Sequence, residues 1–234
     1  MKNAILASTS TLHGQTYLEY LLPEIQELFK ERELLFIPYA RPGGISHTDY
    51  TDLVKKSLEN TGIAVKGLHE YEDPAQAVQE SKGIFTGGGN TFLLVEKLYR
   101  NNIMGLLRQV ILQGTPYLGT SAGTNIAGLT MQTTNDMPII YPPSFQTLGV
   151  VPFNINPHYL DPVLNSTHKG ETRETRIREF HTLNTQPVIG LREGSWLELK
   201  GGNITLRGNL TARIFKVNET PFEAEPSSNL NDLK

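Results

Sequence analysis

Short apolar runs recur along the first half of the chain, separated by stretches of helical period. Residues 3–8 (NAILAS), 34–38 (LLFIP), 63–68, 83–86 (GIFT) and the run beginning at Pro116 each read as a buried strand. Between the first two, Tyr17, Leu18, Leu21, Leu22, Ile25, Leu28 and Phe29 repeat at helical spacing over 16–30, and Pro23 either kinks that helix or marks its start. Residues 48–60 form a second helical stretch, stopped by Thr61-Gly62. Asp73-Pro74 opens a third, running to Lys82, with proline at its favoured first position. Helices over 91–101 and 105–113 complete the series. Strands alternating with helices at this spacing predict an α/β fold. The expected architecture is a mostly parallel, doubly wound sheet with helices on both faces.

The rhythm breaks at 130–165, which is rich in Pro, Asn and Thr with short apolar runs such as 138–141. A long irregular segment in a compact domain is more often functional than idle. Residues 170–183 read as a charged helix carrying Arg173, Arg176 and Arg178, and 187–191 (PVIGL) as another buried strand. Short antiparallel strands are expected at 195–199, 203–206 and 212–217. The tail from Asn218 is polar with two prolines and is expected to fray. With no internal repeat and no linker, residues 1–234 read as one α/β domain.

Composition narrows the function. The chain has 234 residues, 38% of them hydrophobic, enough to fill a sizeable core. A charged fraction of 19% and a net charge of −3 argue against a nucleic-acid or anionic-membrane partner, since both want a basic face. No cysteine is present, which excludes a disulfide framework, a thiolate metal site and a cysteine nucleophile. No secretory leader is seen and no apolar run approaches about 18 residues, so the cytoplasm is the expected address.

The stretch PYLGTSAGTNIAG, 116–128, carries the chemistry. Gly119, Ser121 and Gly123 fit G-x-S-x-G, the spacing of a nucleophile elbow, in which a serine sits on a sharp strand-to-helix turn. The same spacing also suits a close-packed glycine turn with no chemistry. A serine nucleophile needs a base, and the base an orienting carboxylate. Of six histidines, His13, His47 and His69 precede the elbow, and His168 and His181 flank or lie on the charged helix. His158 differs, because Asn156-Pro157 holds the backbone extended just before it. Two acids compete for the third place. Glu193 follows the end of the PVIGL strand, at the sheet edge where open α/β folds place ligands, and Asp136 lies in the irregular segment. The oxyanion hole needs two N–H donors; Ala122 offers one, and Gly89, in Gly87-Gly88-Gly89-Asn90, the second. The glycines could instead cradle a phosphate, but Phe92 stands where a third motif glycine would fall and no G-K-S/T is present.

Taken together, FTGGGNTF, GTSAG, INPHY, HKGETRETRIREF and REGSW make the chain resemble the peptidase E (α-aspartyl dipeptidase) family of serine peptidases, from the first strand to beyond Glu193. The resemblance implies a flavodoxin-like three-layer fold similar to class I glutamine amidotransferases, with serine where those enzymes use cysteine. It implies hydrolysis of Asp-Xaa dipeptides, and some short peptides, through an aspartyl-enzyme. Ser121 would be the nucleophile and His158 the base. Glu193 would orient His158, and Asp136 would serve as the alternative third member, hold the substrate's α-ammonium or brace its loop. Arg173 and Arg176, three apart on one helix face, are the candidates for the aspartyl carboxylate, Arg173 first, although a solvated basic face suits the same spacing. The partner is then a small peptide, with no metal or cofactor, and oligomeric state is not legible. Two other readings fit parts of the pattern. One is an esterase using Ser121, Asp136 and His158 or His168; the other is a ligand-binding module anchored on 87–90.

Overall fold

The structure is a computed structural model in which residues 2–30, 33–162 and 170–233 are described; His168 lies outside them. Its main sheet has seven strands in the order β3-β2-β4-β5-β1-β8-β9. β1 (Ala4–Ala7), β2 (Leu34–Ile37), β3 (Val65–Gly67), β4 (Ile84–Thr86) and β5 (Tyr117–Thr120) run parallel, while β8 (Trp196–Lys200) and β9 (Asn203–Arg207) add antiparallel strands beside β1.

Strand side chains alternate between two cores. Ile5, Ala7, Leu34, Phe36, Phe85 and Leu118 face α1 (Leu22–Phe29) and α2 (His47–Ser57). Ala4, Leu6, Leu35, Ile37, Ile84 and Tyr117 face the opposite side. There they meet residues of α3 (Pro74–Glu80), α4 (Thr91–Arg100), α5 (Met104–Gln113) and the one-turn α6 (Ala122–Asn125). Helix starts follow local chemistry. Pro23 sits in the first turn of α1, so it marks that helix's start and leaves a separate 3-10 turn at Glu19–Leu21. Asp73 caps α3 by accepting from the Ala75 and Gln76 N–H groups.

A second sheet, ordered β11-β10-β7-β6, shares the core on the α3–α6 side. β6 (Asn154–Pro157) and β7 (Val188–Leu191) are parallel; β10 (Ala212–Phe215) and β11 (Phe222–Ala224) are antiparallel additions. α7 (Arg173–Phe180) packs Ile177 with Val188 and Phe215 of this sheet.

Three expectations change. The 130–165 segment is not wholly irregular, because it contains β6. The strand before Glu193, β7, lies in the second sheet rather than at the edge of the main one. The tail is not frayed: β11 pairs with β10, and Leu230 and Leu233 are buried in the larger core. No helix among the described residues is long and apolar enough to cross a membrane.

Candidate active site

The elbow is built by backbone crowding. At Gly123 an added Cβ would overlap the Thr86 carbonyl, and at Gly119 it would meet the Gly123 carbonyl. Side chains at either place would push α6 off β4 and β5 and open the turn. Ser121, between them, takes φ 53° and ψ −110°, a sparsely populated conformation that costs a non-glycine residue about 1–3 kcal/mol. Its N–H donates to the Ala7 carbonyl at 3.2 Å, and its own carbonyl accepts from the Thr124 and Asn125 N–H groups.

β6 delivers His158. Its edge is held by the end of α6 and the loop after it. The Asn125 side chain and the Thr133 hydroxyl both donate to the Ile155 carbonyl, and Asn135 donates to the Pro157 carbonyl. Asn156 in turn donates to the Thr133 carbonyl. His158 follows at once, also with positive φ, 53°. Its backbone N–H donates to the Ser8 hydroxyl at 2.8 Å. The strained turn aims the ring at the elbow. His158 Nε2 lies 2.8 Å from Ser121 Oγ, and His158 Nδ1 lies 2.6 Å from Glu193 Oε1. With Nδ1–H donating to the carboxylate, Nε2 is left as an acceptor facing the hydroxyl. The imidazole is about one-third exposed and Glu193 about half exposed, so the relay lies open to small molecules.

Gly88 is the glycine that touches Ser121: a Cβ there would come 2.9 Å from Ser121 Cβ. Gly89 is set by φ 143° and by its close approach to Ala40. The buried Tyr50 hydroxyl donates to the Gly88 carbonyl at 3.3 Å. A trans peptide points its N–H opposite its carbonyl, so the Gly89 N–H faces away from Tyr50. Among the described residues the N–H groups of Gly89 and Ala122 have no hydrogen-bond partner.

The chain's pattern from residue 4 to residue 207 matches the model of peptidase family S51. The chain belongs to that family. It is 48% identical to a Streptomyces coelicolor protein named peptidase E, over 99% of this chain and 94% of that one. A Drosophila melanogaster protein named as a probable α-aspartyl dipeptidase is 45% identical over 99% of this chain and 97% of its own. Among solved structures, a peptidase from an acI-B1 actinobacterium superposes with a TM-score of 0.72 at 16% identity, covering 98% of this chain and 96% of that one, a likeness of fold.

The other S51 candidates separate clearly. Asp136 does not join the His158 relay. Its Oδ2 accepts from the Thr91 N–H, the Thr91 hydroxyl and the Thr134 hydroxyl, fastening its loop to the start of α4. Its spending there leaves the Ser121, Asp136, histidine order of an esterase unbuilt. On α7, the exposed Arg176 reaches Glu171 at 3.7 Å, and Arg178 pairs with Glu174 at 2.7 Å. Arg173 has no hydrogen bond or ion pair among the described residues. Burial, then the like charge of Arg176, lower its pKa, with Asp136 opposing them. The sequence pattern did not single out Ser8, Tyr50 or Gly88. Each acts through contacts distant in the chain, and no local periodicity marks such contacts.

Proposed function

We propose that the protein is a serine dipeptidase that hydrolyses Asp-Xaa peptides in the cytoplasm. The observation that carries this is the continuous Glu193–His158–Ser121 hydrogen-bond relay on a strained elbow. Membership of family S51 and the α-aspartyl dipeptidase name of the Drosophila relative support the substrate.

Ser121 Oγ attacks the carbonyl after the N-terminal aspartate while His158 Nε2 takes its proton. Glu193 holds the ring and stabilises the imidazolium that forms. The N–H groups of Ala122 and Gly89 stabilise the oxyanion, each donor lowering the barrier by about 3–4 kcal/mol. His158 then protonates the leaving amine, and water releases aspartate from the acyl-enzyme.

Arg173, whose guanidinium has no partner among the described residues, is our choice for the aspartyl side chain, which it can grip with two hydrogen bonds; Arg176, already near Glu171, is the secondary choice. Asp136 Oδ1, the other carboxylate oxygen, has no hydrogen-bond partner among the described residues, which suits the substrate's α-ammonium.

The test combines a serine-directed fluorophosphonate with rates on Asp-Xaa and Ala-Xaa dipeptides. The probe should label Ser121, Ser121→Ala should lose both labelling and turnover, and Asp-Xaa should be strongly preferred. Equal rates on the two substrates would end the aspartyl assignment. Arg173→Lys should lower kcat/KM for Asp-Xaa by about 10-fold or more, because a point charge replaces the fork. An unchanged value would move the role to Arg176.

A further inference from the structure

We infer that Ser8, fully buried at the end of β1, is the positioning residue that sets the catalytic relay, an inference that rests on the serine-peptidase reading above. Three backbones carry the relay, and the Ala7-Ser8 pair holds all of them. The Ala7 carbonyl accepts from the Ser121 N–H at 3.2 Å and from the Thr124 hydroxyl at 2.6 Å, which fixes the elbow. The Ser8 hydroxyl accepts from the His158 N–H at 2.8 Å. The same hydroxyl donates to the Leu191 carbonyl at 2.7 Å, and the Ser8 N–H donates to the Ser195 carbonyl at 3.1 Å. Leu191 and Ser195 bracket the turn that carries Glu193.

A hydroxyl is needed at this place. His158 N–H seeks an acceptor and Leu191 C=O a donor, and only a group that is both can join them. The Leu191 carbonyl also accepts from the Tyr159 N–H at 3.1 Å, so the chain either side of His158 is tied to the end of β7. His158 must hold a positive φ to aim its ring, and the Ser8 hydroxyl bonds the N–H of that same residue. Without this bond the backbone can relax towards ordinary φ. The imidazole would then lose its alignment with Ser121 and Glu193 together, while α7 and its arginines stay in place. Ser8 touches no reacting atom; it acts through His158 and the Glu193 turn.

The experiment uses the full chain with Ser8→Ala and Ser8→Cys, the second preserving size while weakening both hydrogen bonds. Three quantities are measured against the wild type: kcat and KM on an Asp-Xaa dipeptide, the second-order rate of fluorophosphonate labelling of Ser121, and the downfield proton signal of the His158 ring N–H bonded to Glu193. Active-site concentration is set by titration of the folded fraction. For Ser8→Ala, kcat and the labelling rate should fall together by about 10²-fold, as a displacement of roughly 1 Å in a catalytic group produces. KM should stay within about twofold, because the substrate-binding groups are not moved, and the ring-proton signal should broaden or vanish. Ser8→Cys should fall between the two, and it carries the test if Ser8→Ala does not fold. A folded variant with wild-type kcat, labelling rate and ring-proton signal would overturn the assignment. So would a loss that disappears once rates are normalised to folded protein. A wild-type chain that takes the label but spares Asp-Xaa would sink the substrate reading and leave the Ser8 test standing.

Discussion

His158 and Ser121 are both held at positive φ by their surroundings, and that constraint sets His158 Nε2 against Ser121 Oγ. The elbow was legible in the sequence because the glycines that permit it lie two residues either side of the serine. The acid was harder to read. Glu193 and Asp136 are both loop carboxylates, and what separates them is which one the fold sets against His158, a contact spanning 35 positions in the chain. The two acids therefore make opposite predictions. Glu193→Gln keeps the shape but cannot stabilise the developing imidazolium, so kcat should drop by roughly 10²–10⁴-fold with little change in thermal midpoint. Asp136→Asn keeps an acceptor for Thr91 but loses its charge near the start of α4. It should leave kcat within about 10-fold and cost about 0.5–2 kcal/mol of stability. Steady-state rates and thermal melts on the two variants decide the matter; a larger kcat loss in Asp136→Asn would reverse the assignment.

β6 escaped the pattern of apolar positions because two of its four residues are asparagines and the last is a proline, yet all four are buried. The loop around 130–135 answers most of its polar side-chain groups: Asn154 both accepts from and donates to Thr130, and Asn156 donates to Thr133 and Asn135, while Asn156 Oδ1 is buried without a partner among the described residues. Pro157 is tolerated because β6 is an edge strand. The other elements of this sheet are joined by charge. Arg192, next to Glu193 in sequence, grips Asp161 with two hydrogen bonds at 2.8 and 2.7 Å. It also reaches Glu223 on β11 at 2.9 Å, and Arg213 on β10 bridges Glu223 and Glu174 at 3.2 and 3.6 Å. Burial pushes the Glu223 carboxyl up, but hydrogen bonds from Arg192, Thr211 and Arg213 and the charge of Arg192 outweigh it and bring it down to about 2. A folded pKa below the unfolded 4.5 means that this contribution is complete above pH 4.5 and is lost as pH falls towards 2. Denaturant midpoints across that window should therefore fall more steeply for the wild type than for Glu223→Gln. Parallel slopes would show that the pairing carries no pH-dependent stability.

At the scale of the whole molecule, the site lies where the ends of β1 and β5 in one sheet meet the ends of β6 and β7 in the other. The parallel half of the main sheet was legible in the alternation of short apolar runs and helices. The second sheet was not, because its strands are far apart in the chain and one of them, β11, sits in a polar tail. That tail straps both sheets. β11 covers the edge of β10, and further on the chain runs beside β9, where Ser227 N–H donates to the Leu206 carbonyl and Leu206 N–H to that of Ser228. Leu230 N–H donates to the Ile204 carbonyl, and Leu230 and Leu233 close the core beneath. A chain ending at Val217 would uncover both edges, leave Arg192 without Glu223 and take these two leucines out of the core, exposing the residues they cover. Each leucine is worth about 1.5–3 kcal/mol of burial, so the truncation should cost several kcal/mol, about half of what a domain of ordinary stability has to spare. Uncovered β9 and β10 edges are templates for pairing between molecules, so the truncated chain should also aggregate at concentrations the full chain tolerates. Since none of Ser8, Ser121, His158 or Glu193 lies in the removed segment, the fraction that stays folded at low temperature should still take the fluorophosphonate label. Thermal melts, light scattering and labelling on the two chains test this. An unchanged melting temperature would mean that the tail's packing contributes nothing to stability, and full stability with lost labelling would mean that the tail serves the site rather than the fold.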